Sequence, residues 1–163
     1  MAKQQPIEIF MPPNILKAKV GGSGGLDSSA IKRAEAAIEE LKEEFAGWLI
    51  EDVNRLTEMR MTYEAKMDTA ALSDLYRAAH DLKGQATTFD FPLVARVASS
   101  LCKLTDDTSY GLDLPVQLID AHVDAIKVIV RDGIKDTTNK MATVLAGELE
   151  RQVGAYLEKH LGA

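Results

Sequence analysis

The spacing of the apolar residues constrains the fold of this chain more than any other feature, because it repeats in steps of three and four. Such steps place side chains on one face of an α-helix. No long segment alternates between apolar and polar residues, and the chain has only five prolines. The sequence therefore predicts an all-α fold. The pattern is clearest at Leu72, Leu75, Ala79, Leu82, Ala86 and Phe89, and at Val116, Ile119, Val123, Ile126 and Val130.

Capping residues and helix-breaking residues divide this pattern into six predicted helical segments. A first helix begins near Asp27 or Ser28 and carries the stripe Ile31, Ala34, Ile38, Leu41 and Phe45, with a bend at Gly47. The others cover about 48–67, 69–88, 90–105 and 115–132, followed by a last helix that is capped at Asn139 or a preceding threonine. Pro92 lies in the first turn of the 90–105 helix, Pro115 opens the next, and Asp132-Gly133 ends it. The short links predict an antiparallel up-down four-helix bundle of the four middle segments, with additional N- and C-terminal helices.

Two regions are predicted from composition. Residues 1–26 form an extended N-terminal arm, since Pro6, Pro12 and Pro13 oppose a helix there and residues 21–25 read Gly-Gly-Ser-Gly-Gly. Within the arm, Ile7 and Ile9 alternate with Glu8, as in a short strand or a docking peptide. Residues 27–163 are predicted to form one helical domain.

Charge and cysteine content exclude several classes of protein. The formal net charge is −6, which argues against a nucleic-acid-binding protein. No apolar run approaches the ~20 residues of a membrane helix, and the prolines near Met1 interrupt any signal peptide. The single Cys102 excludes an internal disulfide, fits a reducing compartment and is expected to be a core thiol. We therefore expect a cytoplasmic protein that does not associate with membranes or nucleic acid.

The run His80-Asp81-Leu82-Lys83-Gly84 carries the candidate chemistry. His80 lies off the apolar stripe of its helix, and Lys83 and Gly84 follow one turn later on the same face. Most exposed helical histidines are only solvated, and many mid-helix glycines serve close packing. Here three residue types suit one chemical role, because imidazole is a nucleophile near neutral pH, lysine binds anions, and glycine leaves room for a partner. Gly84 also costs about 1 kcal/mol relative to alanine within a helix.

This run, continued to Phe91, resembles the motif of histidine-containing phosphotransfer (HPt) domains, which place His-x-Leu-Lys-Gly on a helix. The resemblance covers roughly residues 40–130. It includes Asp68 and Leu72 upstream and, in the next helix, Val94, Val97, Leu101 and Leu104. Asp90 stands where the family usually has glycine. Aspartate tolerates positive φ and is also a good helix N-cap.

The resemblance implies that His80 accepts a phosphoryl group and relays it between receiver-domain aspartates in a two-component phosphorelay. Lys83 would steady the phosphoryl oxygens, Gly84 would admit the partner, and Gln85 would reach the phosphate only from the margin. The implied partners are response-regulator receiver domains and a hybrid sensor kinase. No cofactor is expected in this chain, because Mg²⁺ is expected on the partner receiver domain.

Other functions remain open on the sequence. A non-catalytic helical-bundle adaptor that binds a partner protein fits the same helical pattern. A histidine kinase needs an ATP-binding domain, and no glycine-rich nucleotide motif occurs here, so autokinase activity is not expected. A di-metal carboxylate bundle would need Glu-x-x-His pairs, which are absent. His122 is predicted to be a surface or half-buried residue, and the helix dipole suffices to explain His160 near the C-terminus.

Overall fold

The computed structural model describes residues 27–111 and 113–162. Within these ranges the chain is helical and contains no strand, so the predicted all-α class is confirmed. The arm predicted for residues 1–26 lies outside the described residues. The helices are α1 (Ser28–Lys66), α2 (Thr69–Thr88), α3 (Pro92–Thr105), α4 (Val116–Arg131) and α5 (Lys140–Leu161), with a short 3₁₀ turn at Asp107–Ser109.

Helix α1 replaces two of the predicted segments. It runs without interruption through Gly47, where an added Cβ would meet nothing within 4 Å. A single helical glycine costs about 1 kcal/mol, which the helical residues on either side can outweigh. The predicted separate N-terminal helix is therefore wrong, and the described residues form five α-helices rather than six.

The other predicted helix boundaries agree closely with the structure, with one exception. The Asp68 side chain accepts a hydrogen bond from the Ala71 amide at 2.7 Å and begins α2 at Thr69. Asp90 has φ +62°, so the expected tolerance of aspartate for positive φ is confirmed. Its expected role as an N-cap is wrong, because Phe91 occupies the cap position before Pro92.

Helix α4 also begins and ends as predicted, and α5 begins as predicted. Pro115 precedes α4, and Asp132 caps its C-terminus before Gly133, which has φ +62°. Asn139 caps α5 by accepting a hydrogen bond from the Ala142 amide at 3.0 Å. Glycine at positive φ and asparagine at an N-cap are the residues that these positions favour.

Contacts divide the chain into residues 1–40 and residues 41–163. In the first unit, the described residues 27–40 include no buried side chain, and Ile31 and Ile38 are 41% and 53% exposed. At the start of the second unit, Leu41 is also exposed, while Phe45 is half-buried. The stripe that the sequence predicts for this helix is therefore largely accessible to solvent.

In residues 41–163, α2 packs against α3, α3 against α4 and α5, and α4 against α5. Helix α1 reaches α2 through an Arg55–Asp81 ion pair and α4 through an Arg60–Asp120 ion pair. Arg96 on α3 forms a bidentate pair with Glu150 on α5. The core side chains that are fully buried include Leu49, Leu56, Leu75, Leu82, Leu93, Leu101, Leu104, Ile119, Ile126 and Ile129.

His122 on α4 is completely buried, so its predicted surface or half-buried position is wrong. Its Nδ1 lies 2.7 Å from the Leu118 carbonyl oxygen, and its Nε2 lies 3.0 Å from the Ser100 hydroxyl on α3. A carbonyl can only accept, so Nδ1 carries the proton and Nε2 accepts from Ser100. Burial lowers the pKa of His122, and the hydrogen bond to Leu118 opposes this shift. On α5, Leu145 is 39% exposed, whereas Ala142 and Ala146 are buried.

Candidate functional site

The core fixes which face of α2 points to solvent. Leu75, Ala79, Leu82 and Ala86 are each 0% exposed, and they lie three or four residues apart along the helix. His80 lies outside this stripe and is exposed at the middle of α2. The sequence-based expectation of a buried stripe beside an exposed imidazole is therefore confirmed.

Lys83 and Gly84 lie one turn after His80 and are also exposed. A Cβ added to Gly84 would meet nothing within 4 Å, so the helix backbone beside the imidazole is open. Close packing against another helix therefore does not explain this glycine. The structure places the three predicted site residues on one accessible face.

Two threonine side chains in the last turn of α2 bond to backbone carbonyl groups of the same helix. The Thr87 and Thr88 hydroxyls donate to the carbonyl oxygens of Lys83 and Gly84, at 2.9 and 3.1 Å. One turn before His80, the Tyr76 ring lies 6.0 Å from the imidazole, measured between ring centroids. The exposed histidine therefore lies within a continuous helix, with turns of α2 on either side of it.

The Lys83 ammonium lies close enough to α3 to influence the thiol of Cys102. Burial raises the pKa of Cys102 on α3 to about 11, and the Lys83 ammonium opposes that rise. A thiol with so high a pKa is almost entirely protonated near pH 7 and is a poor nucleophile. Cys102 is therefore a core thiol, as the sequence predicted.

On the other side of the imidazole, α1 and α2 enclose an open groove of about 490 Å³. Helix α2 contributes His80, Asp81, Gly84, Gln85 and Thr88, and α1 contributes Asp52 and Arg55. The sequence alone did not indicate that Asp52 and Arg55 belong to this site. No motif links Arg55 to a residue 26 positions later, and only the packing of α1 on α2 brings them together.

Two carboxyl groups and one guanidinium line this groove. Arg55 Nη1 lies 3.2 Å from Asp81 Oδ2, and the two side chains are about half exposed. Burial raises the pKa of Asp52, while the Arg55 charge lowers it and the Asp81 charge adds to the rise. One guanidinium thus faces two carboxyl groups beside His80.

The other two histidines lie elsewhere. His122 is buried between α3 and α4, and the His160 ring stacks on Tyr156 with centroids 4.1 Å apart and hydrogen-bonds the Tyr156 carbonyl oxygen. Neither lines the groove beside His80. Among residues 27–111 and 113–162, no three His, Cys, Asp or Glu side chains are grouped so that they could hold a metal ion.

Comparison with protein families decides the assignment. The model of the Hpt domain matches residues 28–151, which include α1 to α4, the first half of α5 and the exposed His80. The chain belongs to the Hpt domain family. No curated protein and no solved structure matches it significantly.

Membership places this Hpt domain in two-component phosphorelay signalling, a process in which Hpt domains act as phosphoryl carriers and interact with receiver domains and kinases. The all-helical structure of the described residues is consistent with the Hpt fold. None of the described helices is long and apolar enough to cross a membrane.

Proposed function

We propose that this Hpt domain relays a phosphoryl group between receiver-domain aspartates through a phosphohistidine at His80. The observation that carries this proposal is the exposed imidazole at the middle of α2, beside the open backbone of Gly84. An incoming active site can reach this imidazole without displacing any side chain over Gly84.

The proposed step exchanges one bond to phosphorus for another. The lone pair on Nε2 of neutral His80 attacks the phosphorus of an aspartyl phosphate as the bond from phosphorus to the carboxyl oxygen breaks. The aspartate leaves as a carboxylate, and the proton on Nδ1 passes to water. A second receiver's aspartate then attacks the same phosphorus, the bond from phosphorus to Nε2 breaks, and Nδ1 takes a proton back from water, so that His80 is neutral again.

The chain's own contribution to this reaction is positioning and charge. In-line alignment and electrostatic stabilisation account for most of phosphoryl-transfer catalysis. Lys83 would steady the phosphoryl oxygens as a point charge, and Gly84 would admit the edge of the partner's active site. The receiver domain would supply Mg²⁺, and this chain would hold no cofactor and lack autokinase activity.

The proposed architecture is an antiparallel up-down four-helix bundle of α1 to α4, with α5 as an additional C-terminal helix. The ion pairs of α1 with α2 and with α4 support it, as do the packing of α2 on α3 and of α3 on α4. Helix α5 would lie outside the four, against α3 and α4. The partners would be response-regulator receivers and a hybrid sensor kinase, in the cytoplasm.

Incubation of the full chain with a phosphorylated receiver domain tests the proposal. We expect acid-labile phosphate on the wild-type chain and none on His80→Gln. The substitution should change the free energy of unfolding by no more than about 0.5 kcal/mol, because the side chain is exposed.

His160→Gln is the matched control, since it removes another exposed histidine from a helix. It should accept phosphate as the wild type does. Label retained on His80→Gln would identify a different acceptor. A folded wild-type chain that binds the receiver but takes no label would support the adaptor function instead.

A further inference from the structure

The groove between α1 and α2 presents a cation that the family motif does not contain. Among the described residues that line it, Arg55 is the single arginine or lysine, and Lys83 is not part of its wall. A phosphoryl group that points from His80 into this groove would meet a guanidinium from α1. Lys83, which lies outside the wall of the groove, would approach the group from another direction.

We propose that Arg55 binds the phosphoryl group on His80 and that Asp81 holds the guanidinium in place until the group arrives. This inference rests on the proposed function. It adds a phosphoryl-binding residue from a second helix to the site on α2.

The geometry of the Arg55–Asp81 pair would allow Arg55 to exchange Asp81 for the phosphoryl group as its partner. One contact, of 3.2 Å between Nη1 and Oδ2, joins two side chains that are each more than half exposed. Exposed single-contact pairs are weak. A phosphoryl group carries up to two negative charges and three acceptor oxygens, so it can bind a guanidinium through two parallel hydrogen bonds. Phosphorylation of the neighbouring His80 would therefore draw Arg55 away from Asp81.

The carboxyl group of Asp52 is a second reason why the guanidinium of Arg55 would be needed in this groove. Together with Asp81 it places two carboxyl groups on the groove that the phosphoryl group would enter. Without Arg55, these groups would repel a phosphohistidine. The guanidinium offsets that repulsion, so its removal should weaken phosphorylation even though Lys83 remains.

The test measures phosphorylation of the full chain by two donors. One donor is a phosphorylated receiver domain, and the other is phosphoramidate, whose P–N bond breaks as the bond to Nε2 forms and ammonia leaves. Phosphoramidate has no protein surface, so its reaction reports on the phosphoryl group alone. We expect Arg55→Gln to lower the equilibrium constant for His80 phosphorylation about two- to fivefold with either donor.

Two further variants sharpen the result. Arg151→Gln is the matched control, since Arg151 forms an exposed ion pair with Glu148 on α5, away from the groove, and it should leave the equilibrium constant unchanged. Asp81→Asn removes the competing carboxylate and should raise the constant. In wild-type chain, the Arg55 guanidinium NMR signal should shift on phosphorylation, and Asp81→Asn should reduce that shift.

Several outcomes would overturn the inference. An effect of Arg55→Gln with the receiver but not with phosphoramidate would show that Arg55 contacts the receiver rather than the phosphoryl group. Unchanged constants with either donor would exclude a role for Arg55. A wild-type chain that forms no phosphohistidine would instead refute the proposed function, and this inference with it.

Discussion

At the scale of the residue, the candidate site depends on the open space next to His80. Gly84 leaves the helix backbone bare one turn after the imidazole, and no described residue would meet a Cβ added there. Glycine is the less stable choice in a helix, and the proposed function explains its presence there by access for a partner.

Gly84→Gln should therefore slow phosphoryl transfer while it stabilises the fold. Glutamine is the better helix former by something under about 1 kcal/mol, and its side chain would project over the approach to His80. The transfer rate from a phosphorylated receiver and the thermal midpoint should move in opposite directions.

Gly154→Gln provides the control, because Gly154 is another exposed helical glycine with open space around it, on α5. It should raise the midpoint without changing the transfer rate. A lower midpoint with an unchanged rate for Gly84→Gln would mean that Gly84 serves packing rather than access.

At the scale of the element, α1 shows that an apolar stripe need not be buried. Residues 31, 34, 38 and 41 repeat in steps of three and four, yet all four are exposed. Further along the same helix, Leu49, Val53, Leu56 and Tyr63 are buried. The helical period predicts the conformation of α1 throughout but not the part that other helices cover.

A pair of substitutions on α1 tests this difference. Ile38→Gln should change the free energy of unfolding by no more than about 0.5 kcal/mol, because the side chain is 53% exposed. Leu56→Ala should lower it by about 2–5 kcal/mol, since Leu56 is fully buried and leaves a cavity. Chemical denaturation of the full chain measures these changes, and a large loss for Ile38→Gln would show that the stripe is covered in solution.

At the scale of the whole molecule, a buried polar contact links α3 and α4. The neutral His122 ring is satisfied at Nδ1 by the Leu118 carbonyl and at Nε2 by the Ser100 hydroxyl. A proton on Nε2 would reverse the hydrogen bond with the Ser100 hydroxyl and place a charge in the core. The fold therefore prefers the neutral ring, in line with its lowered pKa.

Stability should consequently fall as the pH decreases below about 6.5, the ordinary pKa of histidine. In that range the unfolded chain binds a proton at position 122 and the folded chain does not. The free energy of unfolding then drops with a slope of at most about 1.4 kcal/mol per pH unit, until the pH reaches the lower pKa of the folded state. Urea denaturation between about pH 7.5 and pH 5, a range that spans the ordinary histidine pKa, measures this slope.

His122→Gln should remove this contribution to the slope, although it lowers stability at every pH. The exposed His160→Gln should retain it. Equal slopes for wild type and His122→Gln would show that the buried imidazole does not control the pH dependence.

The sequence predicted most helix boundaries because they depend on local chemistry. Asp68 and Asn139 cap helices through their own side chains, Pro115 precedes α4, and Gly133 follows its end at positive φ. It failed near Gly47, where it divided one continuous helix into two predicted segments. It also misplaced the start of α3. Aspartate is suited both to positive φ and to the N-cap position, and Asp90 adopts positive φ while Phe91 is the N-cap.

Residue spacing along a single helix is sufficient to predict the helical class, the helical period and the exposure of His80. Contacts between helices determine which side chains are covered, as the exposed Ile38 and the buried His122 show. They also bring Arg55 of α1 into the groove that the histidine of α2 lines. Such placements depend on contacts between residues far apart in the chain, and the local pattern around each residue does not specify its distant partner.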